Sequence, residues 1–238
     1  MSQRKDPFGE ALMSYLNGNK KGQITVVSDI VEDDFIPVNY LFRRYYQMPP
    51  LEKRALSMCK GKILDVGAGS GCHSLYLQSE GYDITALEKS PLAAEVIRKQ
   101  GLFKVEEIDF FKFEAPNKYN TLLLLMNGLG IAQTLEKFPE FLQHCKSLLA
   151  PGGQILLDSS DIKYLFEEED GSFLININDS YYGEVEYQMV YEAVKGPKFD
   201  WLFLDFDLLS HYAEAHGMTA TKIADGSHYD YLAKLTLD

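Results

Sequence analysis

A short apolar segment that leads directly into three alternating glycines constrains this 238-residue chain more than any other feature. Residues 62–71 read KILDVGAGSG, and residues 71–81 continue with a helical pattern. A strand, a glycine loop and a helix in this order present free backbone N–H groups and the positive end of a helix to a ligand. Because glycine has no Cβ, such a loop allows a ligand to approach the backbone closely. The segment therefore predicts a cofactor site, the alternative being a glycine turn without a ligand.

The spacing of the glycines distinguishes between cofactors. A dinucleotide-binding loop has the pattern G-x-G-x-x-G, whereas this chain has G-x-G-x-G after an acidic residue at the end of the strand. Residues 63–71, ILDVGAGSG, resemble motif I of the class I S-adenosylmethionine (SAM) dependent methyltransferases, which is hh(D/E)hGxGxG with h apolar. The resemblance implies that SAM is the cofactor and S-adenosylhomocysteine (SAH) its product. It also implies that the loop residues Gly67, Ala68, Gly69 and Gly71 hold the cofactor and that Asp65 lies near its methionine end.

Further cofactor residues follow from the same resemblance, one at the end of each successive strand. Glu88 is expected to accept both ribose hydroxyls, with Lys89 beside the adenine; the alternative is a surface glutamate at the start of a helix. Asp109 is expected to accept a hydrogen bond from the adenine amino group, and Phe110 or its neighbour to pack on the ring. Asn127 is expected to contact the methionine moiety.

Catalytic residues are harder to assign. The methyl donor is activated by its own positive charge, so the protein needs a base only if the acceptor must lose a proton. Asp158 and Asp161, at the end of a predicted strand, are candidates for orienting or deprotonating an acceptor, and Tyr40 is a third candidate. No metal site is expected, because the three cysteines lie far apart at positions 59, 72 and 145.

The order of the predicted elements indicates the fold. From residue 62 onward, strands alternate with helices, as in a parallel sheet with crossover helices. Predicted strands cover 62–67, 82–88, 103–108, 119–126, 153–158, 218–224 and 229–237, and predicted helices cover 71–81, 91–100, 134–149 and 208–217. The closing helix and hairpin resemble those of the methyltransferase family. We expect a doubly wound α/β fold whose mostly parallel seven-stranded sheet has an antiparallel last strand.

Two segments lie outside this pattern. Residues 1–59 are predicted to form an N-terminal helical cap or lid, with a short strand at 24–27, in front of a SAM-binding domain at 60–238. Within that domain, apolar and polar side chains alternate in residues 171–204, as in antiparallel strands. We interpret this segment as an insertion that serves the substrate or an oligomer contact. Tyr40, Arg43 and Tyr46 are a hypothetical lid lining, with an amphipathic helix docked on the sheet as the equal alternative.

The charge distribution bears on the acceptor. The net charge is −12, and residues 151–238 contain 5 Lys and no Arg against 17 acidic residues. A nucleic-acid modifier needs basic surface, so a DNA or RNA acceptor is disfavoured. The acidic part is consistent with a cationic substrate such as an amine, although the run at 167–170 is more often a solvated loop. Residues 127–130, NGLG, also differ from the Asn-Pro-Pro-Tyr motif of amino-methylating nucleic-acid enzymes.

These observations predict a methyltransferase that uses SAM to methylate a small molecule. Two alternatives remain: a non-catalytic SAM-binding protein and, less favoured by the glycine spacing, a nicotinamide-dependent oxidoreductase. No apolar run reaches the roughly 20 residues of a membrane helix, and no signal peptide is evident. We therefore expect a cytoplasmic protein without a membrane partner, as a monomer or homodimer.

Overall fold

The computed structural model describes residues 5–168, 170–174 and 180–237. The parts of the predicted segments at 1–4, 169, 175–179 and 238 lie outside the described residues. The strands, in chain order, are β1 Gln23–Ser28, β2 Asp34–Pro37, β3 Lys62–Val66, β4 Asp83–Glu88, β5 Val105–Glu107, β6 Tyr119–Leu124, β7 Leu149–Ser160, β8 Glu184–Tyr191, β9 Val194–Leu202, β10 Met218–Asp225 and β11 Asp230–Leu237. The α-helices are α1 Pro7–Leu16, α2 Val38–Leu41, α3 Pro50–Met58, α4 Cys72–Ser79, α5 Pro91–Lys99, α6 Phe138–Leu148 and α7 Phe206–Ala215.

The larger sheet has seven strands in the order β10-β11-β7-β6-β3-β4-β5. Strands β3 to β7 pair in parallel, and the last strand β11 lies antiparallel between β7 and β10. Successive residues of a strand point to opposite faces, and here both faces are buried. Leu64 and Leu122 belong to one apolar cluster, whereas their neighbours Ile63 and Leu123 belong to another. The predicted doubly wound sheet with an antiparallel last strand is confirmed.

A second, four-stranded antiparallel sheet has the order β2-β1-β8-β9. It joins segments that are far apart in the chain, since Val26 of β1 is registered with Met189 of β8. The description of residues 1–59 as helical is therefore incomplete, because this segment supplies two strands as well as helices. A short strand such as β1 needs a distant partner for its stability, and its own sequence does not reveal that partner.

The boundaries of several elements differ from the predicted ones for local reasons. Strand β6 ends at Leu124, before 126, because Met126 and Asn127 have positive φ values of 65° and 54° that no strand accommodates. The helix expected from residue 134 begins at Phe138, following a short 3-10 helix, Gly128–Ala132. Strand β5 has three residues, whereas the prediction covered 103–108.

Among the described residues, no helix is both long enough and apolar enough to cross a membrane. The three cysteines are free thiols, with Cys59 and Cys145 buried. Burial raises the pKa of Cys59 to about 12, so this thiol stays protonated at neutral pH.

Candidate functional site

The glycine loop connects the end of β3 to the start of α4. Gly67, Gly69 and Gly71 all have left-handed backbones, with φ values of 72°, 59° and 82°. The N–H groups of Gly67 and Ala68 both donate to the carbonyl of Leu87 on β4, at 2.9 and 3.1 Å. A Cβ on Gly67 would lie 2.9 Å from Cδ1 of Ile131. The loop is thus fixed to two neighbouring strand ends and has no room for a side chain at Gly67.

Glu88 lies at the end of β4 and is buried. Its Oε2 accepts the N–H of Gly69 at 2.8 Å, and its Oε1 accepts the N–H of Ser90 at 2.8 Å. Burial raises the pKa of this carboxyl, and these two N–H donors offset part of the rise. Each carboxylate oxygen keeps a second lone pair, so Glu88 holds the loop in place and still has acceptor capacity toward a ligand.

Asp65 is the buried acid of β3 that precedes the glycines. It accepts the hydroxyl of Ser74 on α4 at 2.6 Å. Burial raises its pKa, while the nearby His73 and the Ser74 hydroxyl lower it. Asp65 therefore connects β3 to the helix that follows the loop.

The residues predicted around the adenine differ in whether they are exposed or buried. Asp109 is exposed, and its carboxylate accepts the N–H of Phe111 at 3.1 Å. Phe110 is buried in the core, with its ring 4.6 Å from that of His144. The ring of Phe110 therefore belongs to the core packing, and its contact with an adenine stays a prediction. Lys89 is exposed, with its ammonium 6.0 Å from the centre of the Phe199 ring of β9.

The turn after β6 is strained. Met126 and Asn127 both have positive φ values, which side chains other than glycine adopt at a cost. Asp158 of β7 stabilises this turn, because its two oxygens accept the N–H groups of Met126 at 3.1 Å and Gly128 at 3.2 Å. Asn127 accepts the hydroxyl of Ser160 at 2.9 Å. Burial raises the pKa of Asp158 to about 7.

The same turn contacts the second sheet. A Cβ on Gly130 would lie only 2.1 Å from the indole ring of Trp201 on β9. The indole therefore packs directly against the backbone of Gly130, and the next residue, Ile131, packs against Gly67. In this way one turn links the glycine loop to a sheet that the sequence analysis did not place near it.

Helix α1 covers the loop from another side. The ring of Phe8 approaches to 3.5 Å from the position of a Cβ on Gly69. Asp6 caps α1 by accepting the N–H of Gly9 at 2.9 Å, and it also accepts the hydroxyl of Ser90 at 2.5 Å. Because Ser90 in turn caps α5, the starts of the two helices are tied together beside Glu88. The sequence signal for this contact was the Asp-Pro cap at residues 6–7, which did not reveal the partner.

A buried charge network attaches residues 40–52 to α4. The guanidinium of Arg43 donates to both oxygens of Glu52, at 3.1 and 2.6 Å, and Nε2 of His73 lies 2.9 Å from the same carboxylate. Burial alone would raise the pKa of Glu52, but its bonds to His73 and Arg43 lower it. Burial alone would likewise lower the pKa of His73, but Cys72, Glu52 and Asp65 raise it well above 6.5.

This network changes the lid hypothesis for residues 40–46. Arg43 is only 4% exposed and ion-paired, so it anchors the segment and is not available to line a lid. Tyr46 is 71% exposed, with no side-chain hydrogen bond among the described contacts. Tyr40 is 40% exposed, with Arg43 packed 4.4 Å from its ring centre. Of the three residues, only Tyr40 is both exposed and directly held by the network.

Asp161, the other acidic candidate, is engaged in a surface cluster. Its Oδ1 accepts the hydroxyl of Tyr182 at 2.9 Å, and its Oδ2 lies 3.0 Å from the ammonium of Lys163. The structure therefore does not bring Asp161 and Asp158 together: Asp158 holds the turn after β6, and Asp161 holds Tyr182. No group of three or more His, Cys, Asp or Glu residues suited to a metal ion occurs in the part of the chain that the structure describes.

A cavity of about 590 Å³ lies between the two sheets. Val26, Tyr187 and Phe203 line it from the side of the second sheet, and Asn127 and Ser160 line it from the ends of β6 and β7. Asn127 begins the turn whose Ile131 packs on Gly67, so one lining residue of the cavity belongs to the segment that reaches the glycine loop. Ligands of open α/β sheets bind at these carboxyl ends of the strands.

Comparison with known proteins identifies the family. A crystal structure of a SAM-dependent methyltransferase from Bacteroides fragilis, in complex with S-adenosyl-L-homocysteine, is 46% identical to this chain. It superposes with a TM-score of 0.92 over 100% of this chain and 97% of that one. The chain belongs to the SAM-dependent methyltransferases. Its methyl donor is accordingly SAM, and the nicotinamide alternative is wrong.

Other relatives of this methyltransferase differ in their acceptors. The family model described as "Methyltransferase domain" matches residues 63–153. The tRNA1(Val) (adenine(37)-N6)-methyltransferase of Aliivibrio fischeri is 30% identical over 201 residues, which cover 74% of this chain and 80% of that protein. The ubiquinone biosynthesis O-methyltransferase of Xanthomonas euvesicatoria pv. vesicatoria is 26% identical over 114 residues, 44% of this chain and 45% of that protein. The family is thus established, and these relatives do not agree on an acceptor.

Proposed function

We propose that this methyltransferase transfers the methyl group of SAM to a small molecule that binds in the cavity between the two sheets. The observation that carries the proposal is the cavity itself. Its volume of about 590 Å³ is within the range of roughly 300–1,000 Å³ that is common for small-molecule pockets. Its wall at Asn127 belongs to the turn whose Ile131 packs on Gly67, which supports an acceptor at the same edge of the sheet as the donor.

The glycine loop fits the proposed cofactor. The left-handed glycines allow a ligand to approach the backbone of residues 67–71 closely, and α4 starts without a side-chain cap on its first N–H groups. We infer that Gly67, Ala68, Gly69 and Gly71 hold the cofactor by close backbone contact, because the N–H groups of these four residues already donate within the protein. Glu88 has the acceptor capacity for ribose hydroxyls.

The remaining predicted contacts surround the loop. Asp65 would approach the methionine end, Asn127 would contact it from the turn after β6, and Asp109, Lys89 and the backbone of Phe110 would surround the adenine. Phe8 and Trp201, which the sequence did not indicate, are added as covering residues because Phe8 packs on Gly69 of the loop and Trp201 packs on Gly130 of the turn after β6.

The protein's contribution to the chemistry is mainly placement. SAM supplies a methyl group already activated by the adjacent sulfonium charge. The cavity would position the acceptor against that group, and α1 and β9 would limit the access of water. Asp158 would support this indirectly, since both of its oxygens are used to hold the turn that carries Asn127. Tyr40 and Asp161 stay candidates for contact with an acceptor.

An RNA acceptor is the alternative raised by the relative named for tRNA. It is disfavoured here by the acidic charge of residues 151–238 and by the NGLG sequence at 127–130. Because phosphate contacts dominate the binding of nucleic acids, a chain with net charge −12 lacks the usual means of attracting them.

The test begins with cofactor binding and then compares acceptors. Calorimetric titration with SAH should give binding that Glu88→Ala weakens by about tenfold or more, since a hydrogen bond to a charged group contributes about 1.5–3 kcal/mol. Glu106→Ala on neighbouring β5 is the control, because Glu106 is exposed and should leave the affinity unchanged. Tritiated SAM is then offered with a metabolite panel or with bulk tRNA. Label in tRNA and in no small molecule would contradict the proposal.

A further inference from the structure

The walls of the inter-sheet cavity are apolar and aromatic. Val26 and Val185 of the second sheet line it together with the rings of Tyr164, Tyr187 and Phe203. At the mouth, apolar side chains that normally avoid water remain exposed, Ile30 at 37% and Val31 at 39%. Exposed apolar groups around a concave site indicate a ligand with an apolar body.

The charged lining of the same cavity has one sign. Four carboxylates line it, and they come from opposite sides: Glu32 and Asp33 from the β1–β2 connection with Asp34 at the start of β2, and Asp230 from the start of β11. The lining contains no Lys or Arg and one histidine, His228, and the ion pairs found in the described part of the chain involve none of these four acids. No Lys or Arg of the described residues therefore pairs with these four carboxylates, although the backbone N–H of His228 donates to Asp230 at 2.8 Å.

Tyr187 reports the same negative environment. It lies on the cavity wall, and burial together with the charges of Asp34 and Asp29 raises its pKa to about 12. Burial is the larger cause of this rise, and the two nearby carboxylates add to it. Aromatic faces beside carboxylates favour organic cations, through cation–π attraction as well as charge.

We propose that the acceptor is an amine that enters this cavity as a cation, with an apolar or aromatic body, and is methylated on nitrogen. This inference rests on the proposed function, because it assigns an acceptor class to the same cavity. The carboxylates would collect the cation at the mouth, and the aromatic rings would hold both the amine and its methylated product. Phenols and carboxylic acids, which react as anions, would be disfavoured by the same charges.

The reaction balances with no further reactant. The ammonium form first releases one proton to water at the open mouth of the cavity, leaving a neutral nitrogen with a lone pair. That lone pair forms the N–C bond to the methyl carbon while the C–S bond breaks and its electron pair stays on sulfur. The products are a methylammonium ion and SAH, so one positive charge moves from sulfur to nitrogen and one proton is released.

The experiment uses compounds that share one body and differ in charge. Arylalkyl amines of two to four methylenes are each paired with the corresponding alcohol and carboxylate, and their affinity for the SAH-saturated protein is measured by calorimetry. We expect the amine to bind about tenfold or more tightly than its alcohol, with an advantage that shrinks in high salt. With SAM, mass spectrometry should show an N-methyl product.

Charge-removing variants then locate the effect. Glu32→Gln/Asp33→Asn/Asp34→Asn should weaken amine binding by about tenfold and leave the alcohols unchanged. The control Glu106→Gln/Glu114→Gln/Glu136→Gln removes the same charge from exposed sites outside the cavity lining and should alter neither. SAH affinity should be unchanged in both, which shows that each variant is folded.

The outcomes separate the two proposals. If amines bind no better than alcohols, if no member of any pair binds, or if only oxygen is methylated, the amine inference is overturned. Methylation of a phenol or carboxylate would still support a small-molecule acceptor. Exclusive methylation of tRNA would overturn both proposals.

Discussion

Gly71 is the residue at which the glycine loop becomes helix α4. Its φ of 82° is unfavourable for any side chain, and a Cβ there would lie 3.1 Å from Cγ1 and Cγ2 of Ile97 on α5. The requirement for glycine is therefore both conformational and steric. The sequence motif indicated a glycine at this position without showing which neighbour requires it.

Gly71→Ala should destabilise the fold and weaken SAH binding. The left-handed backbone alone costs about 1–2 kcal/mol for alanine, and the contact with Ile97 adds to it. Gly81→Ala is a matched control, because Gly81 has a φ of 88° but no atom within 4 Å of the added Cβ. Thermal unfolding should show lower stability in both variants, because both place alanine on a left-handed backbone. Calorimetry should show weaker SAH binding only in Gly71→Ala. Equal SAH affinity in the two would contradict a cofactor role for the loop.

A second prediction for a single residue concerns His73 and the dependence of stability on pH. Its pKa in the folded protein is raised well above 6.5, so folding favours the protonated form. The resulting stability is fully present below pH 6.5 and is lost as pH rises through the raised value. Arg43, Glu52, Asp65 and Cys72 are the charged or titratable groups that act on it.

The His73→Gln substitution should therefore lower the free energy of unfolding most near pH 6, by about 1.5–3 kcal/mol, and less at alkaline pH. His228→Gln is the control, since His228 belongs to the exposed turn before β11. The measurement is urea unfolding of the native protein and both variants from pH 6 to 9.5, with imidazole shifts followed by NMR. A difference between native protein and His73→Gln that stays constant with pH would show that His73 is neutral.

At the scale of the elements, the sequence was informative where pattern and structure are local. Strands β3, β4 and β6 and helix α5 were predicted within a few residues, because the apolar runs and the Ser-Pro cap at residues 90–91 are contained in each segment. The second sheet was not predicted as a sheet. Its strands β1 and β8 are separated by more than 150 residues, and pairing at that distance leaves no trace in either segment.

The residues of the candidate site also fall into those that local sequence indicates and those that depend on distant packing. Its strand-end acids were proposed from their positions after predicted strands and from the resemblance to the methyltransferase family. The covering residues Phe8 and Trp201 and the acidic inter-sheet cavity depend on how distant elements pack, which one sequence does not show. Helix α1 is the clearest such element, because its cap reaches Ser90 at the edge of the site.

Phe8→Ala should make SAH dissociate faster by removing the ring that covers Gly69. Loss of a contact with a bound ligand changes its dissociation rate more than its association rate. The dissociation rate should therefore rise by several-fold, with little change in the association rate. Leu16→Ala, at the other end of α1, controls for general loosening of the helix. Stopped-flow displacement of a fluorescent SAH analogue measures both rates. Equal dissociation rates in the two variants would mean that α1 stabilises the fold without covering the cofactor.

At the scale of the whole molecule, the two sheets meet where Trp201 packs on Gly130. Gly130 lies in the turn between Asn127 and Ile131, so this contact joins the second sheet, the inter-sheet cavity and the glycine loop. A methyl group at Gly130 would lie 2.1 Å from the indole. The contact therefore requires a glycine, although the backbone of Gly130 is not left-handed.

The effects of Gly130→Ala and Trp201→Ala on the free energy of unfolding should consequently be strongly non-additive. Gly130→Ala alone should cost about 1–3 kcal/mol, because the indole must move away from the turn. In the Trp201→Ala background the same change should cost close to nothing, since the added methyl group then occupies vacated space. A coupling energy of about 1 kcal/mol or more from urea unfolding of the four proteins would establish the contact.

The same cycle tests whether the sheet contact shapes the cavity. SAH affinity should fall in Gly130→Ala, because Ile131 moves with the turn, and should recover in the double variant. Amine affinity should not recover, because the wall of the cavity loses its support when the indole is absent. Recovery of both affinities would mean that the second sheet holds the acceptor cavity without Trp201.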